Sequence, residues 1–377
     1  MTNETLARVP SSEPTNSNEA STSAGNVKRR SFLKGMGVAG AALAGGSLLA
    51  TLGESEAQAQ SPKSLTAGDA AILRFLAAAE LLETDLWQQY AELGGITAGK
   101  PNAYQKALAK LDGDGSQYIT SNTLDELSHA EFLNAYLQSK GAQPVDLDAF
   151  RTLPSSQATG AQQIGRLTNL MNLTVDTSWF TRYRSTGNPD FGDTFPQAID
   201  LVNLPAIPRN DDDFAPADHI QAIANTAAFH FGTIEQGGST LYSAMAQKVS
   251  NLEVLRIVVS IGGDEVAHFL EWVDFAGNGV QSPVAPFTDP TNGLTFPDFN
   301  ATGNPLLQTN LIFPVPCEFI NANLPRCAVI RPTSPKGIAA GVVSFLTAMN
   351  LFDGQSPAFF KTLNALAKQA DAAQRGF

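Results

Sequence analysis

Between Thr66 and Gly277 apolar residues recur at helical spacing in four stretches, and acids interrupt the apolar stripe of each. The first stretch opens at Thr66, an N-cap candidate with Asp69 three residues on, and stops at Gly94-Gly95. Its stripe reads Ile72, Leu76, Glu80, Glu83, Trp87, Tyr90. The second runs up to Gly141 with Ile119, Asn122, Glu126, His129, Leu133 and Tyr136, and the third lies between Pro216 and Gln247 with Ile220, Ala224, Ala227, Phe231, Glu235, Gly238, Tyr242 and Met245. The fourth opens at a capping box, Ser250-Asn251-Leu252-Glu253, and carries Leu255, Val258, Gly262, Glu265, His268, Trp272 and Phe275 to its end near Gly277. A carboxylate on the buried face of a helix is costly unless something pairs with it, so these stripes demand a partner.

Past the fourth helix the pattern dissolves. Residues 280–335 are rich in Pro, Asn and Thr and read as irregular coil with at most short strands, and two short helices are predicted near 337–350 and 356–374. This tail carries Phe and Leu without a periodic repeat, which predicts that it wraps the bundle.

The four helices repeat in pairs. Glu80 with Leu86 and Trp87 aligns with Glu235, Leu241 and Tyr242, while Asp125-Glu126-Leu-Ser-His129 aligns with Asp264-Glu265-Val-Ala-His268. Residues three apart share a helix face, so each Glu-x-x-His can grip one ion while its carboxylate reaches a second. Two of only four histidines acquire Glu three positions before them by chance with a probability on the order of 1%. That favours a metal site over two solvated helix pairs. The set is Glu80, Glu126, His129, Glu235, Glu265 and His268, four carboxylates and two imidazoles, the inward ligands of a dimetal carboxylate bundle.

Composition narrows the chemistry further. With 377 residues, 43% of them hydrophobic and 16% charged, the chain is a globule rather than a disordered acid or a coiled-coil rod. A net charge of -12 repels a phosphate backbone, so nucleic acid is excluded as a partner. Cys317 and Cys327 are the only cysteines, too few for a thiolate zinc or iron-sulfur site, so any metal takes Asp, Glu and His.

On these residues the chain resembles the ferritin-like superfamily, and within it the bacterial ferritin-like proteins related to the desiccation-related group. The resemblance covers 65–275, and Asp176-Thr-Ser-Trp-Phe-Thr-Arg-Tyr-Arg-Ser185 with Asn188-Pro-Asp190 is similar to that group's long connection between the second and third helices. It implies an all-α, ferritin-like four-helix bundle with a long B-to-C crossover insertion and an irregular plus helical C-terminal extension. It further implies two divalent ions, Fe or Mn, with Glu80 and Glu235 terminal, Glu126 and Glu265 bridging, and one imidazole per ion from His129 and His268. The matching chemistry is oxidation by dioxygen or peroxide, of ferroxidase or manganese-catalase type. The alternative class is a noncatalytic stress or desiccation-protection module that keeps a metal for stability. A ferritin-type cage is not expected, because the insertion and the tail would occupy its packing faces, although a homodimer is admitted.

The N-terminal segment carries a second resemblance. Lys28-Arg29-Arg30-Ser31-Phe32-Leu33-Lys34 opens an apolar, glycine-rich run over 35–50, and Ala57-Gln58-Ala59 follows. This resembles a twin-arginine export signal, implying the export machinery as a partner, a periplasmic destination and cleavage after Ala59. The run is about 16 residues, short of the roughly 20 a membrane span needs, and an uncleaved anchor is the competing reading. The domains are then a signal over 1–59, the bundle over 60–279 and the extension over 280–377. In an oxidising compartment Cys317 and Cys327 are expected to form a disulfide.

Further expectations concern single residues. Glu80 is preferred over Glu83 because only Glu80 keeps the register of Glu235; Glu83 is then an acceptor for an imidazole N–H. Gly232, Gly237 and Gly238 predict a bulge or break in the third helix, and Trp87 stands where a phenol is expected near the metals. His230 reads as a packed or capping residue, His219 as surface, and Asp211-Asp212-Asp213 as a solvated loop. Asp112-Gly-Asp114-Gly-Ser116 is similar to a calcium loop, but its twelfth position is Thr123 rather than Glu, so it is rejected.

Overall fold

A computed structural model describes residues 65 to 376, apart from 98, 183–195, 305–306, 308–313, 316–319, 322 and 331–333. The segment expected to be an export signal, and residues 183–190 of the motif that begins at Asp176, lie outside the described residues. So does Cys317; Cys327 is an exposed free thiol.

The first helix, α1 (Ala67–Gly94), begins as its sequence demands: Thr66 Oγ1 accepts the Asp69 N–H at 2.9 Å. Asp69 is buried and accepts the Ser250 N–H at 2.9 Å, which ties this end to the start of the fourth long helix. A short helix the apolar pattern did not reveal, α2 (Ala103–Leu111), follows, closed by a capping box between Asn102 and Gln105. Its nine residues are too few to display a repeat. Then comes α3 (Gly115–Ser139).

A long connection carries β1 (Leu173–Val175), α4 (Trp179–Arg182) and β2 (Leu201–Leu204), with β1 and β2 paired antiparallel. It is fastened to α1 by buried Asp85, which accepts the Leu167 and Thr168 N–H groups at 3.0 and 2.9 Å and Arg151 at 2.6 Å. Next are α5 (Ala217–Ala246) and α6 (Leu252–Asn278). The cap of α6 is Asn251, whose side chain accepts the Glu253 N–H, so the capping box expected from Ser250 to Glu253 is corrected to a simple Asn251 cap.

Cross-helix contacts fix the directions. Thr123 meets Trp87 while His129 meets Glu80, so α1 and α3 are antiparallel. Trp87 meets Glu235 while Glu80 meets Tyr242, so α1 and α5 are antiparallel as well. Hence α3 and α5 run the same way, and the chain must return a full helix length between them. That is the work of the long connection, and it gives the single-crossover bundle.

The third helix is continuous, contrary to the expected bulge or break. Two of its three glycines serve close approach: a Cβ at Gly232 would strike the Trp179 indole, whose Nε1 donates to Thr233 Oγ1 at 3.0 Å. A Cβ at Gly238 would strike the Glu265 carboxylate. At these two positions tertiary contact outweighs the helix propensity lost at a glycine, about 1 kcal/mol.

After α6 come a hairpin of β3 (Phe287–Thr288) and β4 (Thr295–Phe296), a second of β5 (Pro314–Val315) and β6 (Cys327–Ala328), and the helices α7 (Ile338–Ala348) and α8 (Pro357–Ala372). Helix α8 lies along α1 and α7 contacts α5, with Phe359, Leu363 and Leu366 of α8 buried. Lys248 Nζ donates to the carbonyls of Ala370 and Asp371 at 2.8 Å, setting a cation at the negative end of α8. Among the described residues no helix is long and apolar enough to cross a membrane.

Candidate metal centre

All six acids and imidazoles singled out from the sequence converge at mid-height between α1, α3, α5 and α6. The four carboxylates are fully buried and the two imidazoles nearly so. His129 Nδ1 lies 3.2 Å from Glu126, 3.4 Å from Glu80 and 3.6 Å from Glu265. His268 Nδ1 lies 3.1 Å from Glu126 and 3.3 Å from Glu235. Ligand atoms thus fall into two nests, each gathered within 4.8 Å: Glu80, Glu126, His129 and Glu265, and Glu126, Glu235 and His268. Glu126 belongs to both, one oxygen facing each imidazole. The imidazole rings are 6.4 Å apart.

The repeat seen in sequence is a repeat in space. Trp87, seven residues after Glu80, donates its indole N–H to Glu235 at 3.0 Å; Tyr242, seven after Glu235, donates its hydroxyl to Glu80. A phenol therefore does stand at the cluster, supplied by α5 rather than α1. Between the nests Asn122 donates to Glu126 at 2.7 Å and Glu235 at 3.2 Å, and its own oxygen accepts Trp272 Nε1 at 2.7 Å. That last bond fixes which way the amide points.

Two further residues had no role assigned from sequence. His129 Nε2 lies 3.2 Å from Asp264 and His268 Nε2 3.4 Å from Asp125, each carboxylate half-exposed on the opposite helix. An acceptor at Nε2 holds the proton there and turns the Nδ1 lone pair inward. The signal was present in the sequence: Asp precedes Glu in both motifs. Glu83 is absent from both nests and lines a small apolar cavity of about 30 Å³ with Leu82, Leu86, Gly238, Leu241 and Phe345.

The cluster calls for positive charge. Burial and neighbouring acids push Glu265 well above the usual carboxylate range and Glu126 up to about 7. Burial alone would depress His129, but hydrogen bonds to Glu126 and Glu80 and their charges outweigh it and lift it to about 10. His268 rises for the same kind of reason, against its burial, under Glu235, Asp125 and Glu126. Four buried oxygens, Glu80 Oε2, Glu235 Oε2 and both of Glu265, have no partner of regular hydrogen-bond geometry among the described residues, although an imidazole Nδ1 lies 3.4 Å from the first, 3.3 Å from the second and 3.6 Å from Glu265 Oε1. Buried orphan acceptors are rare and costly, and oxygen with imidazole nitrogen is the donor set of iron and manganese. The residues fit a pair of divalent ions.

The other histidines stand elsewhere. His230 is buried against Tyr90, as expected. His219, expected at the surface, is buried: its Nε2 lies 3.1 Å from Asp213 and its Nδ1 3.0 Å from Asp289. The acidic run is split accordingly, with Asp211 and Asp212 exposed and Asp213 buried under Arg209. The β3–β4 hairpin that covers His219 has no periodic signal, which is why helical spacing alone missed it.

A family model, the Ferritin-like domain, matches residues 68–271, more than half of the chain, and the chain belongs to that family. No curated protein and no solved structure matches it.

Proposed function

We propose that the protein is an exported member of the ferritin-like family, akin to the desiccation-related group, that holds two iron or manganese ions and reacts with dioxygen or peroxide. One observation carries this reading: two Glu-x-x-His turns and two lone glutamates close on each other with Glu126 shared and four carboxylate oxygens left without a regular hydrogen bond among the described residues. Glu80, Glu126, His129 and Glu265 would hold one ion, and Glu126, Glu235 and His268 the other. When bound, such a pair supplies two-electron redox chemistry toward a small oxidant.

The chain's own residues do the rest. Asp125 and Asp264 keep a proton on each outward Nε2, and Trp87 and Tyr242 hold one oxygen of each lone glutamate, leaving the other oxygen free to bind. Fully buried Trp87, stacked on Phe231 and on Trp272, packs beside Glu235 and excludes water there, which strengthens every charge interaction within.

The test is peroxide and dioxygen consumption by protein loaded with Fe(II) or Mn(II). Turnover that falls in both His129→Ala and His268→Ala supports the reading. Full metal occupancy without consumption of either oxidant leaves the noncatalytic protection module in its place.

A further inference from the structure

One buried pair of titratable groups takes no part in the carboxylate cluster: Tyr90 on α1 and His230 on α5. Both are fully buried, and the Tyr90 hydroxyl lies 2.7 Å from His230 Nδ1. The direction of that bond follows from counting partners, because His230 Nε2 is itself buried without one. If the phenol donates to Nδ1, a single N–H at Nε2 is orphaned. If Nδ1 donates to the phenol, both the phenolic proton and the Nε2 lone pair are orphaned, the costlier arrangement. The phenol therefore donates. Burial holds His230 down to about 3, so its ring is neutral near pH 7 and Nδ1 offers a lone pair; burial also holds the Tyr90 phenol well above its usual range, so it keeps its proton.

An oxidised phenol is a far stronger acid than the phenol itself, so a buried tyrosine gives up an electron readily only where a base within hydrogen-bond reach takes its proton and the positive charge with it. With a neutral imidazole within hydrogen-bond reach the proton can leave with the electron. A path for the electron is also present. Trp87, hydrogen-bonded to Glu235, has its ring centre 5.6 Å from that of Tyr90, and Phe231 packs on both at 4.9 and 4.6 Å. Aromatic contact is unbroken from Glu235 to the phenol.

We propose that Tyr90 is a redox-active residue that gives one electron through Trp87 to the oxidised metal centre while passing its proton to His230. The proposal rests on the dimetal reading of the site. In the step the phenolic O–H bond breaks and an Nδ1–H bond forms, giving a neutral tyrosyl radical and an imidazolium. The electron goes to the ion pair previously oxidised by peroxide, which falls by one oxidation level. The reverse transfer restores both residues.

Two arms test this. In the first, protein loaded with Fe(II) or Mn(II), its occupancy checked by elemental analysis, is mixed with peroxide, freeze-quenched and measured by electron paramagnetic resonance. The expected result is a tyrosyl signal that changes when ring-deuterated tyrosine is incorporated, is lost in Tyr90→Phe and is several-fold weaker in Trp87→Phe. Tyr118→Phe, edge-on to Trp272 at 6.4 Å, should keep it. In the second arm, protein stripped of metal is oxidised by a photogenerated ruthenium(III) tris-bipyridine, and the radical should again settle on Tyr90. Failure to take up metal would sink the dimetal reading, and this arm still decides the role of Tyr90. A signal that survives Tyr90→Phe, or that disappears with Tyr118→Phe or Tyr242→Phe instead, overturns the proposal. Tyr90→Phe leaves His230 Nδ1 without its partner and should lower the melting temperature, so retained metal content and an unchanged circular dichroism spectrum separate redox loss from misfolding.

Discussion

At the scale of single residues, the site is decided by which atoms reach the centre. Glu80 does and Glu83, one turn on, does not. Glu80→Gln is therefore expected to lose most bound metal and Glu83→Gln to keep it, as measured by elemental analysis of the purified variants. Adjacent glycines give a sharper contrast. A Cβ at Gly237 meets nothing within 4 Å, so Gly237→Ala should stabilise α5 by up to about 1 kcal/mol. A Cβ at Gly238 meets the Glu265 carboxylate, so Gly238→Ala should lower metal content and cost about 1–3 kcal/mol through overpacking, more than the propensity it gains. Thermal melts of both variants, with metal added and withheld, check the sign of each.

The six residues of the cluster were legible because a charged residue on an apolar stripe is conspicuous, and the pairing of Trp87 with Tyr242 was legible as a register. Their hydrogen bonds were not, since each donor crosses to the other helix pair. Asp125 and Asp264 escaped for a related reason. They sit on the rim of their own helices, and only the approach of α3 to α6 gives them an imidazole to accept from.

At the scale of elements, helical spacing located α1, α3, α5 and α6, while the two C-terminal helices, also expected, lie in a tail without a periodic repeat. It missed what depends on neighbours distant in sequence. The continuity of α5 through its glycines is one case and the burial of His219 is the other. The second case makes a pH prediction. Asp213 lies just before α5; burial would raise it, but hydrogen bonds from Arg209 and His219 outweigh this and hold it at about 2, below its ordinary 3.8. A carboxyl depressed in the folded state contributes stability above its unfolded value and loses it as pH falls through the folded one. Between 3.8 and about 2 the wild type should therefore lose stability more steeply than Asp213→Asn. Melting temperatures across that window are the measurement, and equal slopes would mean that the Asp213 contacts contribute nothing to holding α5 and the hairpin.

At the scale of the whole molecule, the bundle and its C-terminal helices belong to one compact unit from Pro62 to Phe377. Lys248 and the buried face of α8 join the tail to α1 and the start of α6, so the extension buttresses the helices that carry Glu80 and Glu265. The export reading belongs to this scale too. Replacing Arg29 and Arg30 by Lys should leave the precursor in the cytoplasm, as followed by fractionation and immunoblotting, and undiminished periplasmic product would remove the twin-arginine assignment.

The central claim is that four carboxylates and two imidazoles on four helices exist to hold a pair of ions. Elemental analysis of the protein after exposure to Fe(II) or Mn(II) and removal of excess tests it most directly. About two ions per chain are expected in the wild type, with a marked loss in both His129→Ala and His268→Ala. Stoichiometry near zero in the wild type, or occupancy untouched by either substitution, would contradict the claim.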